Sequence, residues 1–481
     1  MNYEQFLEMI PEACLVAILI IVFFADFALH RSEKKGRVLY GLTAALMLLQ
    51  LVPCALAEPT WAFGGLYVTS QMANVMKTIL TAGTLIVIIM AQPWIENAGR
   101  KTAGEFYMLV ISTLLGMYMM ISSGNFLMFF LGLEMASVPM ACMVALDKWR
   151  NQSAEAAAKF ILTATFSSGV MLYGISFLYG ATGHLYFDDF RMLLKPSNLS
   201  VMGMVFFIAG LGFKISLVPF HFWTADTYQG APTTVTGYLS VISKGAAAFT
   251  LASLLYKVFI PLLPFWMFAM MLLVVLTITV GNLMAIRQTE LKRFMAFSSI
   301  SQAGYIMLVV IGGDSIMSIT ALMYYVLIYI VANMAIFTII ASVENANGGR
   351  TDMATYNGLY RTNPKMAFLM TLSLFSLGGI PPFAGMFSKF FVFLAAVDGR
   401  PTFWPYFIVF IALVNTVVSL YYYLLIVKAM YIRNKKEDGE PIPTFAMDFN
   451  TKLTLVICTL GVVFFGVCSC IYEMLHTAAA Q

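Results

Sequence analysis

Charged residues are scarce in this sequence. They make up 11% of 481 residues, while 60% are hydrophobic. A soluble domain carries about 25% charged residues, and no polar stretch here is long enough to form one. No Lys/Arg cluster is interleaved with aromatics, which excludes a nucleic-acid surface. The six cysteines (Cys14, Cys54, Cys142, Cys458, Cys468, Cys470) include no C-x-x-C pair, so zinc and iron–sulfur ligation have no sequence support. They read as small packing residues. The four histidines, His30, His184, His221 and His476, are too scattered to supply facing axial haem ligands. Neither a phosphate-binding glycine loop nor G-x-G-x-x-G occurs, which argues against nucleotide binding or hydride transfer by this chain. A basic leader is also lacking: Glu4, Glu8 and Glu12 precede or open the first apolar run. That run, from Pro11 to about Leu29, is therefore expected to remain as a spanning helix.

What is present is a series of apolar runs of about 20 residues, each able to cross a hydrocarbon core of about 30 Å. The expected architecture is all-α and polytopic, with about 14 transmembrane helices over residues 11–30, 38–57, 72–95, 104–122, 125–146, 154–181, 200–225, 232–258, 262–286, 293–312, 315–343, 364–397, 403–430 and 451–475. Basic residues alternate between the loops. Odd-numbered loops hold Arg31, Lys34, Lys35, Arg37, Arg100, Lys101, Lys148, Arg150, Arg287, Lys292, Arg293, Arg350, Arg361, Lys365, Lys428, Arg433, Lys435 and Lys436. Even-numbered loops hold only Arg191, Lys195, Lys257 and Arg400. Positive residues stay in the cytoplasm, so both termini are expected to face the periplasm.

A few charges fit no loop. Lys77, Lys159 and Lys452 lie near run ends and are expected to snorkel to the headgroups. Glu134, Lys214, Lys244 and Lys389 lie about two turns or more inside their runs. Each costs at least about 2.5–3.5 kcal/mol in the bilayer. A static Glu–Lys pair is one explanation, but three lysines face one glutamate. A lysine in low dielectric loses its proton more readily, and a nearby carboxylate opposes the loss. A pair whose spacing changes would thus be a proton switch. Tyr238, Ser240, Ser243, Tyr324, Tyr325, Tyr329 and Asn333 are candidates for holding water between the lysines.

Two of the runs should be broken. Pro219, in Leu217-Val218-Pro219-Phe220-His221, has no N–H to donate. Pro381 and Pro382 follow Gly378-Gly379-Ile380. Non-helical backbone at this depth requires a protein-lined or wet cavity. His221, beside the first break, fits either a proton relay or a group that satisfies freed backbone. The breaks fall in the seventh and twelfth runs, five apart and each beside a buried lysine. That spacing implies two inverted five-helix repeats with two discontinuous helices. The expected division is residues 1–100 (helices 1–3), 101–258 (helices 4–8), 259–430 (helices 9–13) and 431–481 (a loop and helix 14).

The stretch from His221-Phe222-Trp223 through Tyr228-Gln229-Gly230-Ala231-Pro232 to Thr236 resembles the seventh-to-eighth helix motif of the antiporter-like subunits of respiratory complex I. Gln288 to Ser301 and Ser376 to Lys389 resemble two further motifs of that family, and the similarity runs over nearly the whole chain. The resemblance implies a proton-translocating subunit in the bacterial inner membrane. Its partners would be the bilayer and other membrane subunits of complex I. It would carry no cofactor of its own; FMN, iron–sulfur clusters and quinone would belong to partner subunits. Residue by residue, Glu134 matches the fifth-helix glutamate and Lys214 its partner on the broken helix. Lys244 matches the central lysine, and Lys389 the lysine near the exit side. Ala225 and Thr234 stand where proline is frequent, and Gln302 where histidine is frequent. The alternatives are a subunit of a multi-subunit cation/proton antiporter or membrane-bound hydrogenase, and a membrane scaffold whose buried charges only pair helices.

Overall fold

In hydrocarbon every backbone N–H and C=O must be satisfied inside its own segment, and helices do this. The computed structural model describes residues 3–98, 102–313, 315–398, 402–432 and 444–480, and the apolar runs within them are helical. The basic residues Arg100, Lys101, Arg400, Arg433, Lys435 and Lys436 lie outside the described residues. Thirteen helices among the described residues are long and apolar enough to cross a membrane. The twelfth span completes the set as two short helices, Pro364–Gly378 and Ala384–Asp398. The seventh is also divided, into Asn198–Ile215 and Phe222–Gly230. One expected span ends early: the fourteenth runs Phe449–Val467, and a separate helix, Cys470–Ala480, follows a break at Cys468 and Ser469. The one sheet among the described residues is a hairpin of two-residue strands, Trp61–Ala62 against Tyr67–Val68.

The interior is a largely apolar core in which the polar side chains of the spans, among them Lys214, Lys244, Asn333 and Lys389, are buried. Spans 8 (Thr233–Lys257), 10 (Leu291–Gly312) and 11 (Ile316–Ala346) are almost wholly buried. Spans 1 (Ile10–Ala28), 2 (Lys35–Leu56), 9 (Leu263–Ile286) and 13 (Phe403–Tyr431) show apolar side chains outward, among them Phe24, Leu49, Phe268 and Phe410. Spans 4 (Ala103–Ile121) and 5 (Phe126–Val144) approach closely: a Cβ on Gly116 would fall 2.4 Å from Ala136 N, and one on Gly132 2.6 Å from Met120 N. Small residues allow this approach, which hydrophobic attraction alone does not supply in a bilayer.

The two breaks repeat one backbone pattern. In the first, Ser216 takes φ 69° and Leu217 N donates to Gly212 O at 2.8 Å. In the second, Gly379 takes φ 85° and Ile380 N donates to Phe375 O at 3.0 Å. Phe220 N then donates to Leu217 O, and Phe383 N to Ile380 O. Both half-helices therefore end in a left-handed cap that satisfies their last carbonyls. The second half-helix of span 12 returns close to the first: a Cβ on Gly385 would lie 1.7 Å from Ser376 O, so only glycine fits there.

Candidate functional site

Span 5 starts at Asn125, whose side chain accepts from Met128 N at 2.8 Å. Two turns further in, Glu134 is half-buried, and its Oε1 has no hydrogen-bond partner. Lys214 lies at the end of the first half of span 7, two residues before the left-handed cap at Ser216. It is buried, with its ammonium 6.0 Å from the Phe160 ring. Lys214 Nζ donates to Ser137 Oγ at 2.7 Å, and Ser137 donates in turn to Leu133 O at 2.6 Å. No ion pair among the described residues joins Lys214 to Glu134, although the carboxylate lies within electrostatic reach. In place of the expected pair, Lys214 bonds a hydroxyl one turn beyond the glutamate. Ser137 was not singled out in the sequence; its signal was a hydroxyl three residues after an acid deep in an apolar run.

In the first break, Trp223 Nε1 donates to Phe213 O at 3.0 Å and Val218 N to Thr277 Oγ1 at 2.9 Å. The freed backbone is thus partly satisfied by groups other than His221. His221 is buried and stacks on Phe222 with centroids 4.6 Å apart; its Nδ1 has no hydrogen-bond partner. Lys244 lies within electrostatic reach of it.

Lys244 follows a π-helical stretch, Leu239–Ser243, inside span 8. Such bulges rotate the side chains after them and leave backbone groups available locally. The buried ammonium donates to Ser299 Oγ at 2.7 Å and sits 5.3 Å from the Tyr228 ring centroid. Ser299 lies 3.4 Å from Tyr228 OH and near Tyr329. Asn333 Nδ2 donates to Ser240 Oγ at 2.6 Å. One helical turn past Ser299, Gln302 accepts from Tyr325 OH, and its amide N–H donates to Tyr423 OH at 3.4 Å.

Lys389 lies on the second half of span 12, buried, 3.4 Å from Gly378 O and 4.9 Å from the Tyr305 ring centroid. A small cavity lined by Gln302, Tyr325, Tyr329, Ser376 and Lys389 lies between it and the Lys244 surroundings. Its size matches about one water molecule. Of the residues expected to hold water, Tyr325, Tyr329, Ser240 and Asn333 fall on this stretch. Tyr324 does not: its hydroxyl donates to Phe465 O at 2.6 Å, toward span 14.

A second polar group, overlooked in the sequence, lies at the end that carries the basic loops. Glu344 at the end of span 11 accepts from Thr233 and pairs with Arg150 at 3.2 Å. Lys292, buried, donates to Ala231 O at 2.8 Å and lies 3.9 Å from Glu344. Arg293 pairs with Asp226 at 2.6 Å. Lys159 pairs with both Asp226 and Glu155 at 2.8 Å. Outside the spans, burial pushes the Glu290 carboxyl above its ordinary pKa, against a hydrogen bond from Thr351.

Lys77 departs from expectation. It does not snorkel to the headgroups: it is fully buried and paired with Glu12 at 2.6 Å. The acid that opens the first span folds back onto span 3, a long-range contact that run position does not reveal. Lys452 is exposed.

Residues 123–419 match the family described as NADH:quinone oxidoreductase/Mrp antiporter, TM. The chain is 52% identical over 480 residues to NADH-quinone oxidoreductase subunit N of Phocaeicola vulgatus, covering 100% of both chains. The chain belongs to the subunit N family. Membership in the subunit N family agrees with the solved structures. The chain is similar to a chain of respiratory complex I from Thermus thermophilus, solved with bound aureothin, with TM-score 0.79, 30% identity, and coverage of 95% of this chain and 97% of that one. A chain of the Mrp complex from Dietzia shares the fold at TM-score 0.83, with 19% identity and coverage of 100% and 97%. The subunit N fold and the Mrp fold are thus one architecture.

Proposed function

We propose that this chain is the antiporter-like subunit N of a bacterial NADH-quinone oxidoreductase and moves protons from the cytoplasm to the periplasm. The observation that carries the proposal is the state of the buried lysines. Lys214, Lys244 and Lys389 are each held by a neutral oxygen, of Ser137, Ser299 and Gly378, and none forms an ion pair among the described residues. A scaffold would match each buried cation with a buried anion, because an unpaired charge there is costly. A lysine held only by neutral groups is free to exist as amine or ammonium.

Redox energy from partner subunits changes the separation of Lys214 and Glu134. When the carboxylate moves away, Lys214 releases its proton toward Lys244. Ser299, Tyr228 and Tyr329 stand at Lys244, and Gln302 and Tyr325 line the way to Lys389. His221, beside the first break, is a further relay group, and the half-helix ends at Pro219, Pro381 and Pro382 supply the non-helical backbone that keeps the route polar. The lysines reload from the cytoplasm, and both termini lie in the periplasm. The residues here bind and pass protons; FMN, iron–sulfur clusters and quinone belong to the partner subunits. Full-length identity to a subunit N favours this reading over a cation/proton antiporter, for which the likeness is in fold.

The test uses the intact complex reconstituted in liposomes. Lys214→Met or Lys389→Met should assemble and translocate fewer protons per electron. An unchanged ratio in both assembled variants would refute the proposal.

A further inference from the structure

A second set of buried ionisable groups lies in the first three spans, apart from the three lysines above. Lys77 is fully buried and its ammonium lies 2.6 Å from Glu12 Oε1. Tyr67 bridges the two, donating to Glu12 Oε2 at 2.9 Å and accepting from Lys77 at 3.2 Å. The Tyr67 and Tyr118 rings flank the ammonium with centroids at 5.3 and 5.5 Å. Glu8, four residues before Glu12, is exposed.

Buried polar residues continue from Lys77 along one face of span 3 (Gln71–Ala98). Lys77, Thr81 and Thr84 are all 0% exposed, and their spacing of four and then three residues places them on one stripe. Thr81 hydrogen-bonds Tyr118 of span 4. Thr84, whose hydroxyl donates to Leu80 O at 2.7 Å, lies near Tyr238 of span 8, and the Tyr238 hydroxyl lies 2.7 Å from Thr113. Tyr238 immediately precedes the π-helical stretch that ends beside Lys244. A pair serving only to lock span 1 to span 3 would account for Glu12, Tyr67 and Lys77. It does not involve the hydroxyls that run from Lys77 toward the Lys244 segment, where Thr81 and Thr84 also donate to Lys77 O and Leu80 O in their own helix.

We propose that the Glu12–Lys77 pair is a further proton-transfer site, joined to the Lys244 segment by the hydroxyl seam along span 3 and opening at Glu8. The proposal rests on the reading of the chain as a proton-moving subunit. In the transfer step the N–H bond of Lys77 breaks and an O–H bond forms on Glu12 Oε1, leaving an amine and a carboxylic acid. The acid gives its proton to water at the Glu8 surface. The amine takes a proton delivered along the Thr84, Thr81 and Tyr118 hydroxyls, which restores the ion pair. One proton moves and no charge is left behind.

The experiment uses the intact complex in liposomes and reads protons translocated per electron, with assembly followed on native gels. Glu12→Gln, Thr84→Val and Tyr238→Phe are compared with Lys214→Met. The expected result is that Thr84→Val and Tyr238→Phe, which leave the ion pair in place, lose proton translocation to the same fold as Lys214→Met. Glu12→Gln should do the same wherever it assembles; if it fails to assemble, the two seam variants decide. Unmodified ratios in the assembled seam variants, with a lowered ratio in Lys214→Met, would overturn the span 3 route alone. An unmodified ratio in Lys214→Met would instead remove the proton-moving reading beneath it.

Discussion

The ammonium of Lys214 hydrogen-bonds Ser137 Oγ at 2.7 Å, and Ser137 stands one turn from Glu134 on span 5. A hydroxyl thus occupies the place a carboxylate would take in a closed ion pair. Small shifts of span 5 against the broken span 7 would exchange one partner for the other, because the two acceptors lie on the same helix face.

This makes Ser137 a control point. Ser137→Ala leaves a buried ammonium without its neutral acceptor, a loss of about 1–3 kcal/mol, and drives Lys214 toward Glu134. The expected outcome is normal assembly with slower proton translocation in liposomes, milder than for Lys214→Met. Ser137→Thr keeps the oxygen and should retain most of the rate.

Ser299 plays the matching part at Lys244, to which it is bonded at 2.7 Å. Ser299→Ala should lower the initial rate of proton uptake while electron transfer through the complex persists in uncoupled membranes. Ser299→Thr should restore it. Equal rates in the alanine and threonine variants would show that the hydroxyl is dispensable.

Gln302 contacts Tyr325, Tyr423 and the cavity beside Lys389. An amide supplies both a donor and an acceptor but does not ionise near neutral pH. Gln302→Leu removes both and should lower proton translocation. Gln302→His provides both again and should retain it, and the liposome assay that separates these two variants checks the point.

Gly385 limits how closely the halves of span 12 approach. An alanine Cβ would meet Ser376 O at 1.7 Å, and neither group is a flexible side-chain end. Overpacking typically costs about 1–3 kcal/mol, and a backbone clash lies at the upper end of that range. Gly385→Ala should therefore lower the yield of assembled complex and its thermal midpoint, measured on purified membranes. Gly41→Ala, where a new Cβ meets nothing within 4 Å, should do neither.

The sequence alone determined that the chain spans a membrane about 14 times, which segments do so, where two of them break, and that Lys214, Lys244 and Lys389 lie inside them. Those properties follow from local chemistry: apolar run length, proline without an N–H, and the scarcity of charge in hydrocarbon. Tertiary structure alone decided which group each lysine touches. Ser137 and Ser299 lie 77 and 55 residues from the lysines they accept from. Tertiary structure also moved Lys77 from a surface position to a buried pair with Glu12, 65 residues away in sequence. A run of apolar residues fixes depth in the bilayer. It does not fix which way each helix is turned, because lipid and protein interior are similarly apolar, and that rotation is set by packing contacts between spans distant in the chain.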